Sequence, residues 1–276
     1  MTPSDVEFIS GLVRQRSGLV LTADKGYLLE SRLAPLARKE GFESIDAMVS
    51  ALKTRKDARL AELVTEAMTT NETFFFRDKT PFDHFTEHML PELVKTRPAG
   101  ATIRIWCAAC STGQEPYSLA MLVDDAAASL GGRKVEIIAT DISDQVLEKA
   151  KAGVYSQFEV QRGLPVKMLV KYFDQQGDTW RIRPELKRNI QFRKINLLEQ
   201  FKVLGVFDIV YCRNVLIYFD TETKKGVLAR IAQQTAKDGF LVLGAAETIM
   251  NLSNDYVSVK TRRGLYERKQ AAAQVA

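Results

Sequence analysis

Two carboxylates, Glu115 and Asp141, stand where acidic side chains can do chemistry, because each follows a short apolar run, Thr102 to Ala108 and Val135 to Thr140. The first run passes through Trp106-Cys-Ala-Ala-Cys-Ser-Thr-Gly-Gln-Glu-Pro-Tyr-Ser118, a strand turning into a helix through small residues. A Ser-Thr-Gly turn lets a ligand approach the backbone closely. The three glycines of a dinucleotide fingerprint are absent, and Glu115 sits where a pyrophosphate would want only amides and a helix N-terminus. This argues against NAD and for a cofactor carrying an amine. S-adenosylmethionine fits: its ammonium can pair with a carboxylate while its carboxylate uses the N–H groups of the turn. Asp141, 26 residues beyond Glu115, is near where an acid at the end of a second strand meets a ribose. Its alternative role, capping the next helix, can be filled by Ser143.

Three further groups carry polar residues at element ends. Asn71, Thr73 and Arg77 surround Phe74, Phe75 and Phe76 on a connecting segment, where the phenylalanines read as core but the polar residues have no packing reason. Asn196 and Leu197 follow another strand, and an Asn-capped loop is the plain alternative there. Arg213, Asn214 and Tyr218 follow the apolar run Phe207 to Cys212.

Asn71-Glu-Thr-Phe-Phe-Phe-Arg77, the run through Glu115, Ala139-Thr-Asp141, Ile195-Asn-Leu-Leu198 and Cys212-Arg-Asn-Val-Leu-Ile-Tyr-Phe219 occur in that order. Together they resemble the CheR family, S-adenosylmethionine-dependent methyltransferases that esterify glutamates of bacterial chemoreceptors. The resemblance runs from about Phe8 to Tyr266. It implies that Asn71, Thr73, Arg77, Glu115, Asp141, Asn196, Leu197, Arg213 and Asn214 bind the cofactor, that S-adenosylhomocysteine is the product, and that Arg77 and Tyr218 act on the substrate. An ionised glutamate is already a nucleophile, so alignment and exclusion of water, not a general base, should supply most of the acceleration.

The elements positioning these residues read as two parts. Residues 1–70 look all helical. Ser4-Asp-Val-Glu7 is expected to cap a first helix bearing Phe8, Leu12 and Val13; Leu29, Leu33 and Leu36 mark a second, stopping at Gly41; Ser44 caps a third; and Leu60, Leu63, Val64 and Ala67 mark a fourth. Residues 71–100 form a linker and first helix contributing to the cofactor site. From residue 101, strands and helices alternate. That implies an α/β fold, a Rossmann-like class I methyltransferase sheet, mostly parallel, with ligands at the carboxyl ends of its strands. Tyr256 to Lys260 and Gly264 to Arg268 read as an antiparallel hairpin at its edge. Residues of about 161–189 read as an inserted antiparallel β-subdomain, because Thr179-Trp-Arg-Ile-Arg183 alternates with period two after a turn at Gln176-Gly-Asp178. The tail from Gln270 reads as disordered.

With 276 residues the chain can bury a sufficient core without disulfides, and three cysteines, an odd number, read as reduced and cytoplasmic. No basic-then-apolar leader and no ~20-residue apolar stretch is seen, so an unexported protein without membrane insertion is expected, and a monomer. The net charge is +5, and residues 162–194 alone hold nine Lys/Arg against three Asp/Glu. Residues 1–75 are balanced, ten basic against eleven acidic. Given the family, Arg32, Arg38, Lys39, Lys53, Arg55, Lys56 and Arg59 are expected to form a local basic face that docks on the helical bundle of the chemoreceptor. Some CheR members grip a receptor's C-terminal pentapeptide through a longer subdomain turn. The short connection Asp174 to Trp180 implies the pentapeptide-independent type.

Three rival readings are weaker. His84-Phe-Thr-Glu-His88 matches the H-x-x-E-H spelling of inverted zinc peptidases, but no third ligand is evident and Phe82, Phe85 and Met89 need the same helix for packing, so no metal is expected. A nucleic-acid methyltransferase is suggested by the basic pI, yet Asn214-Val-Leu-Ile-Tyr218 lacks the prolines of a base-flipping run, and no nucleic acid partner is expected. A catalytically idle receptor-binding member has nothing in its favour.

Overall fold

The computed structural model describes residues 1–21 and 26–269, and the tail from Gln270 lies outside them. Its contacts divide the chain into two units, Met1–Thr70 with Tyr218–Lys224, and Asn71–Ile217 with the chain from Lys225 onward.

The first unit holds α1 (Pro3–Ser17), α2 (Gly26–Lys39), α3 (Ile45–Arg55) and α4 (Ala58–Met68). Their apolar stripes close on one core that includes Ile9, Val13, Leu29, Leu33, Met48, Leu52, Leu60 and Val64. The cap of α1 differs from the sequence reading. It is Thr2, not Ser4, whose hydroxyl accepts from Asp5 N at 3.2 Å while Asp5 Oδ2 accepts from Thr2 N at 2.9 Å. Pro3 at the first helical position explains the earlier start, since its ring presets the helical φ and its missing N–H would have had no partner there. Ser44 caps α3 as expected, and Asp57 caps α4. Residues 218–224 join this unit through Val20 N, which donates to the Tyr218 carbonyl at 2.9 Å, and Arg14, paired with Asp220 at 2.7 Å.

In the second unit α5 (Thr80–His84), a π-helical turn (Phe85–Met89) and α6 (Leu90–Thr96) precede β1 (Thr102–Ala108), α7 (Gln114–Asp125), β2 (Lys134–Asp141) and α8 (Asp144–Ala152). There follow β3 (Val154–Ser156), α9 (Gln157–Gln161), α10 (Val166–Tyr172), β4 (Phe173–Gln176), β5 (Thr179–Ile182) and α11 (Pro184–Lys187). The unit closes with β6 (Ile190–Lys194), β7 (Phe207–Cys212), α12 (Thr221–Gln234), β8 (Thr235–Leu243), β9 (Tyr256–Ser258) and β10 (Leu265–Arg268); the first turn of α12 belongs to the helical unit. Seven strands form one sheet in the order β6-β2-β1-β7-β8-β10-β9, parallel through β8 and antiparallel at β10 and β9. β1 and β7 are nearly continuous apolar runs because both faces of the sheet are covered. Ile103, Ile105 and Cys107 face one layer, while Trp106 packs against Phe201 and Phe207. The strand order reverses direction between β1 and β7, the switch point at which open α/β sheets hold ligands.

The smaller sheet, β3-β5-β4, is antiparallel. It draws in Val154–Ser156, ahead of the alternation around Trp180. Its β4–β5 hairpin closes through Gly177 and Asp178, with Gly177 at φ 59, where a two-residue turn calls for glycine. Among the described residues no helix is long and apolar enough to cross a membrane. Cys107, Cys110 and Cys212 are free and buried, and burial pushes each thiol up, so none is poised as a nucleophile.

Candidate functional site

Beyond β1 the chain leaves the sheet through three left-handed positions, Ala109 (φ 58), Ser111 (φ 50) and Gly113 (φ 94). This turn aims backbone N–H groups at the end of β2. Ser111 N donates to Asp141 Oδ2 at 2.8 Å, and Ser143 N to Asp141 Oδ1 at 3.1 Å. These two bonds orient the Asp141 carboxylate at the end of β2. Ser143, not Asp141, caps α8. Gly113 admits no side chain, because a Cβ there would lie 2.9 Å from Ala150 Cβ.

Glu115, in the first turn of α7, meets Arg213 from the end of β7. Arg213 Nη1 donates to Glu115 Oε2 at 2.7 Å, and Nη2 donates to Asp78 Oδ2 at 2.8 Å and to the Arg77 carbonyl at 2.9 Å. The side chains of Arg213 and Glu115 are 2% and 12% exposed, so this pair operates largely out of water. Burial pushes the Glu115 carboxyl above the usual glutamate range, opposed by the Arg213 charge and, further off, by Arg77. Burial works against Arg213 too, but Glu115 and Asp78 outweigh it and hold the guanidinium above its usual value. Arg213 Nε is buried and finds no acceptor among the described residues, which is costly unless a ligand supplies one.

The segment from Asn71 to Lys79 is bound to the same turn and helix. Ser111 Oγ donates to the Asn71 carbonyl at 2.8 Å. Ser118 Oγ, fully buried on α7, accepts from Phe76 N at 3.0 Å and donates to the Gln114 carbonyl at 2.7 Å. Phe75 is core, as expected, whereas Phe74 and Phe76 are half-buried. Phe74 lies under the guanidiniums of Arg77 and Arg162, at 5.7 and 4.4 Å. Arg77, half-buried, donates to the Glu72 carbonyl at 2.6 Å, and Thr73 is half-buried. Phe76, Asp78 and Lys79 have φ of 53, 67 and 45°. Left-handed backbone at a bulky aromatic is strained, and such strain concentrates at functional sites.

Asn196 Oδ1 accepts from Leu198 N at 3.0 Å, a local turn just past β6, and the buried Leu197 gives its carbonyl to Arg230 at 2.8 Å. Asn214 is left-handed at φ 57, and its N–H donates to Glu247 Oε2 at 2.8 Å. Thus Asn71, Arg77, Glu115, Asp141, Arg213 and Asn214 converge at the carboxyl ends of β1, β2 and β7. Tyr218 is grouped with the helical unit, its ring against that core. Sequence reasoning missed Asp78, Ser118 and Glu247. The one local signal for Asp78 is its place next to Arg77.

In the helical unit Arg59 pairs with Glu40 at 2.7 Å. That contact brings the start of α4, preceded by Arg55 and Lys56, to the end of α2 with Arg38 and Lys39. Arg32 is not part of this cluster. It caps the opposite end, donating to the carbonyls of Met68 at 2.6 Å and Thr69 at 2.9 Å, and Lys53 pairs with Asp5 at 2.6 Å. Of the two histidines, His84 Nε2 donates to the Arg263 carbonyl at 3.2 Å, and His88 packs on Phe240. Among the described residues neither joins a group of three potential metal ligands.

Family models match the chain twice: "CheR methyltransferase, all-alpha domain" over residues 4–69 and "CheR methyltransferase, SAM binding domain" over residues 71–265. The chain belongs to the CheR methyltransferase family. Chemotaxis protein methyltransferase 1 of Pseudomonas aeruginosa is 42% identical over 96% of this chain and 97% of its own length. Chemotaxis protein methyltransferase Cher2 of Pseudomonas putida is 39% identical over 96% and 98%. Among solved structures, magnesium protoporphyrin IX methyltransferase of Synechocystis with bound SAM covers 80% of this chain and 93% of its own at 15% identity and a TM-score of 0.37, too distant to add to the assignment. The chain is therefore a SAM-dependent methyltransferase. The site fits that cofactor: an acid, Glu115, in the first turn of α7, a second acid, Asp141, at the end of β2, an orphaned buried Nε on Arg213, and a turn at Gly113 with no room for a Cβ.

Proposed function

We propose that this CheR protein methylates glutamate side chains of chemoreceptors, giving glutamate methyl esters and S-adenosylhomocysteine in receptor adaptation, and that it works in the cytoplasm. The observation carrying this reading is the buried Arg213 bracketed by Glu115 and Asp78 at the sheet's switch point, within a chain similar over 96% of its length to chemotaxis methyltransferases. S-adenosylmethionine, when bound, supplies an electrophilic methyl on its sulfonium. Glu115 pairs with the ammonium, Asp141 accepts from the ribose hydroxyls, and Asn71, Thr73, Arg77, Asn196, Leu197, Arg213 and Asn214 complete the pocket. Arg77 orients the incoming glutamate carboxylate and Tyr218 helps to position it. The near-attack alignment so obtained is worth several kcal/mol of barrier. No side chain need take a proton from a carboxylate that is already ionised.

The basic cluster of Arg38, Lys39, Arg55, Lys56 and Arg59 docks on the receptor's helical bundle. Lys53, tied to Asp5, Arg59, tied to Glu40, and Arg32, tied to the end of α4, contribute less than the sequence reading gives them. The two-residue β4–β5 hairpin supports independence from a receptor C-terminal pentapeptide. Incubation with methyl-labelled cofactor and receptor cytoplasmic fragments tests the activity through alkali-labile label on receptor glutamates. A folded protein that binds S-adenosylhomocysteine yet labels no receptor fragment would overturn the substrate assignment. Calorimetric binding of the pentapeptide would overturn the independence.

A further inference from the structure

Four backbone N–H groups converge on one carboxylate that no motif singled out. Glu247 Oε2 accepts from Gly244 N at 2.7 Å and Asn214 N at 2.8 Å, and Oε1 accepts from Val215 N at 3.0 Å and Ile217 N at 3.3 Å. The two oxygens thereby fasten the turn after β7 to the end of β8. We propose that Glu247 is a positioning residue for methyl transfer, fixing the turn that presents Arg213 and Asn214 to the cofactor; this rests on the methyltransferase reading above.

Three observations carry it. First, the turn cannot hold itself. Asn214 is left-handed, and the N–H groups of Asn214, Val215 and Ile217 find on Glu247 the acceptor that a turn after a strand otherwise takes from solvent. Second, the joint is tight at the backbone. A Cβ on Gly244 would lie 2.8 Å from Glu247 Oε2, 2.9 Å from Asn214 Nδ2 and 3.0 Å from Asn214 N. Third, these four bonds join only the carboxyl ends of two strands, and Glu247 is outside the hydrophobic core, so its loss should loosen the turn and spare the sheet. The chemistry also asks for a carboxylate. It is acceptor-only and serves both pairs of donors, whereas a glutamine keeps one oxygen and turns an NH2 toward the other pair.

The test compares Glu247→Gln and Glu247→Asp with the wild type in the full chain. Amide hydrogen exchange, S-adenosylhomocysteine titration and initial rates on a receptor fragment are measured on each. For Glu247→Gln we expect exchange at residues 214, 215, 217 and 244 to rise at least tenfold while β1 and β7 amides stay protected. Its S-adenosylhomocysteine affinity should fall at least fivefold and kcat/KM at least tenfold, with Glu247→Asp, which keeps two acceptor oxygens, between the two. Affinity and turnover within twofold of wild type would overturn the proposal. So would uniform loss of protection across the sheet, which would make Glu247 a general stabiliser, or an aspartate no better than glutamine. If the wild type bound the product but methylated no receptor fragment, the substrate reading would fail, and the exchange and titration arms would still decide the role of Glu247.

Discussion

Glu115→Gln separates charge from shape at the buried pair with Arg213. The amide keeps the volume and can still accept from Arg213 Nη1, but it offers nothing ionic to a cofactor ammonium. A hydrogen bond to a charged partner contributes about 1.5–3 kcal/mol, and about 1.4 kcal/mol is tenfold in affinity, so S-adenosylhomocysteine should bind about 10- to 150-fold more weakly. Stability should move less. Removing one partner of a buried pair costs up to about 3–5 kcal/mol, but Arg213 retains Asp78 and the Arg77 carbonyl, and the variant also abolishes the burial of an ionised Glu115. The sign with pH follows from the same burial. Because the folded carboxyl is raised, its contribution to apo stability is present below the unfolded value and lost as pH rises through the folded one. A bound ammonium favours the ionised form, so wild-type affinity should fall as pH drops through the raised Glu115 value, and this limb should vanish in the glutamine variant. Calorimetric titration across the acid-to-neutral range measures both. Equal affinities, or the same acid limb in both proteins, would refute the assignment of Glu115 to the ammonium.

Gly113→Ala must place a Cβ against Ala150 at a φ of 94°; a loss of about 1–3 kcal/mol, read as a lower melting temperature, should accompany weaker S-adenosylhomocysteine binding. Arg32→Ala strips the cap from the end of α4 and should cost about 1–2 kcal/mol without altering the salt dependence of receptor association. Lys39→Ala with Arg55→Ala should leave the melting temperature in place and slow association at low salt, an effect that fades as salt rises. Asp220 is held at about 2, from 3.8, chiefly by the Thr223 backbone N–H and also by Arg14. Its stabilisation is therefore present above 3.8 and lost as pH falls toward 2, and acid unfolding of Asp220→Asn should lack that part of the limb.

The parallel strands were legible because a sheet covered on both faces needs nearly continuous apolar runs, and β1, β2 and β7 come close to that, interrupted by Arg104, Glu136 and Asp208. Glu115 and Asp141 were legible because they stand at fixed offsets from those runs. Glu247 was not, since three of its four backbone partners lie 30 to 33 positions away and a glutamate after a strand end is locally unremarked. Ser118 reads as one more small residue on a helix, and only the fold brings it to Phe76, 42 positions earlier. The basic face was half legible: charge is visible in sequence, but that Arg32 spends its guanidinium on the end of α4 depends on where that helix lies.

The inserted β-subdomain bears on how freely such enzymes can exchange parts. Gly163 within it admits no side chain, because a Cβ would overlap the Phe75 carbonyl oxygen, and the neighbouring Arg162 pairs with Glu72 at 2.6 Å and covers Phe74. The insertion thus presses on the very segment that carries Asn71, Thr73 and Arg77. It is not a detachable cassette, and a chimaera that took this subdomain from a relative would misfit the host's segment unless residues 72–75 and 162–163 travelled together.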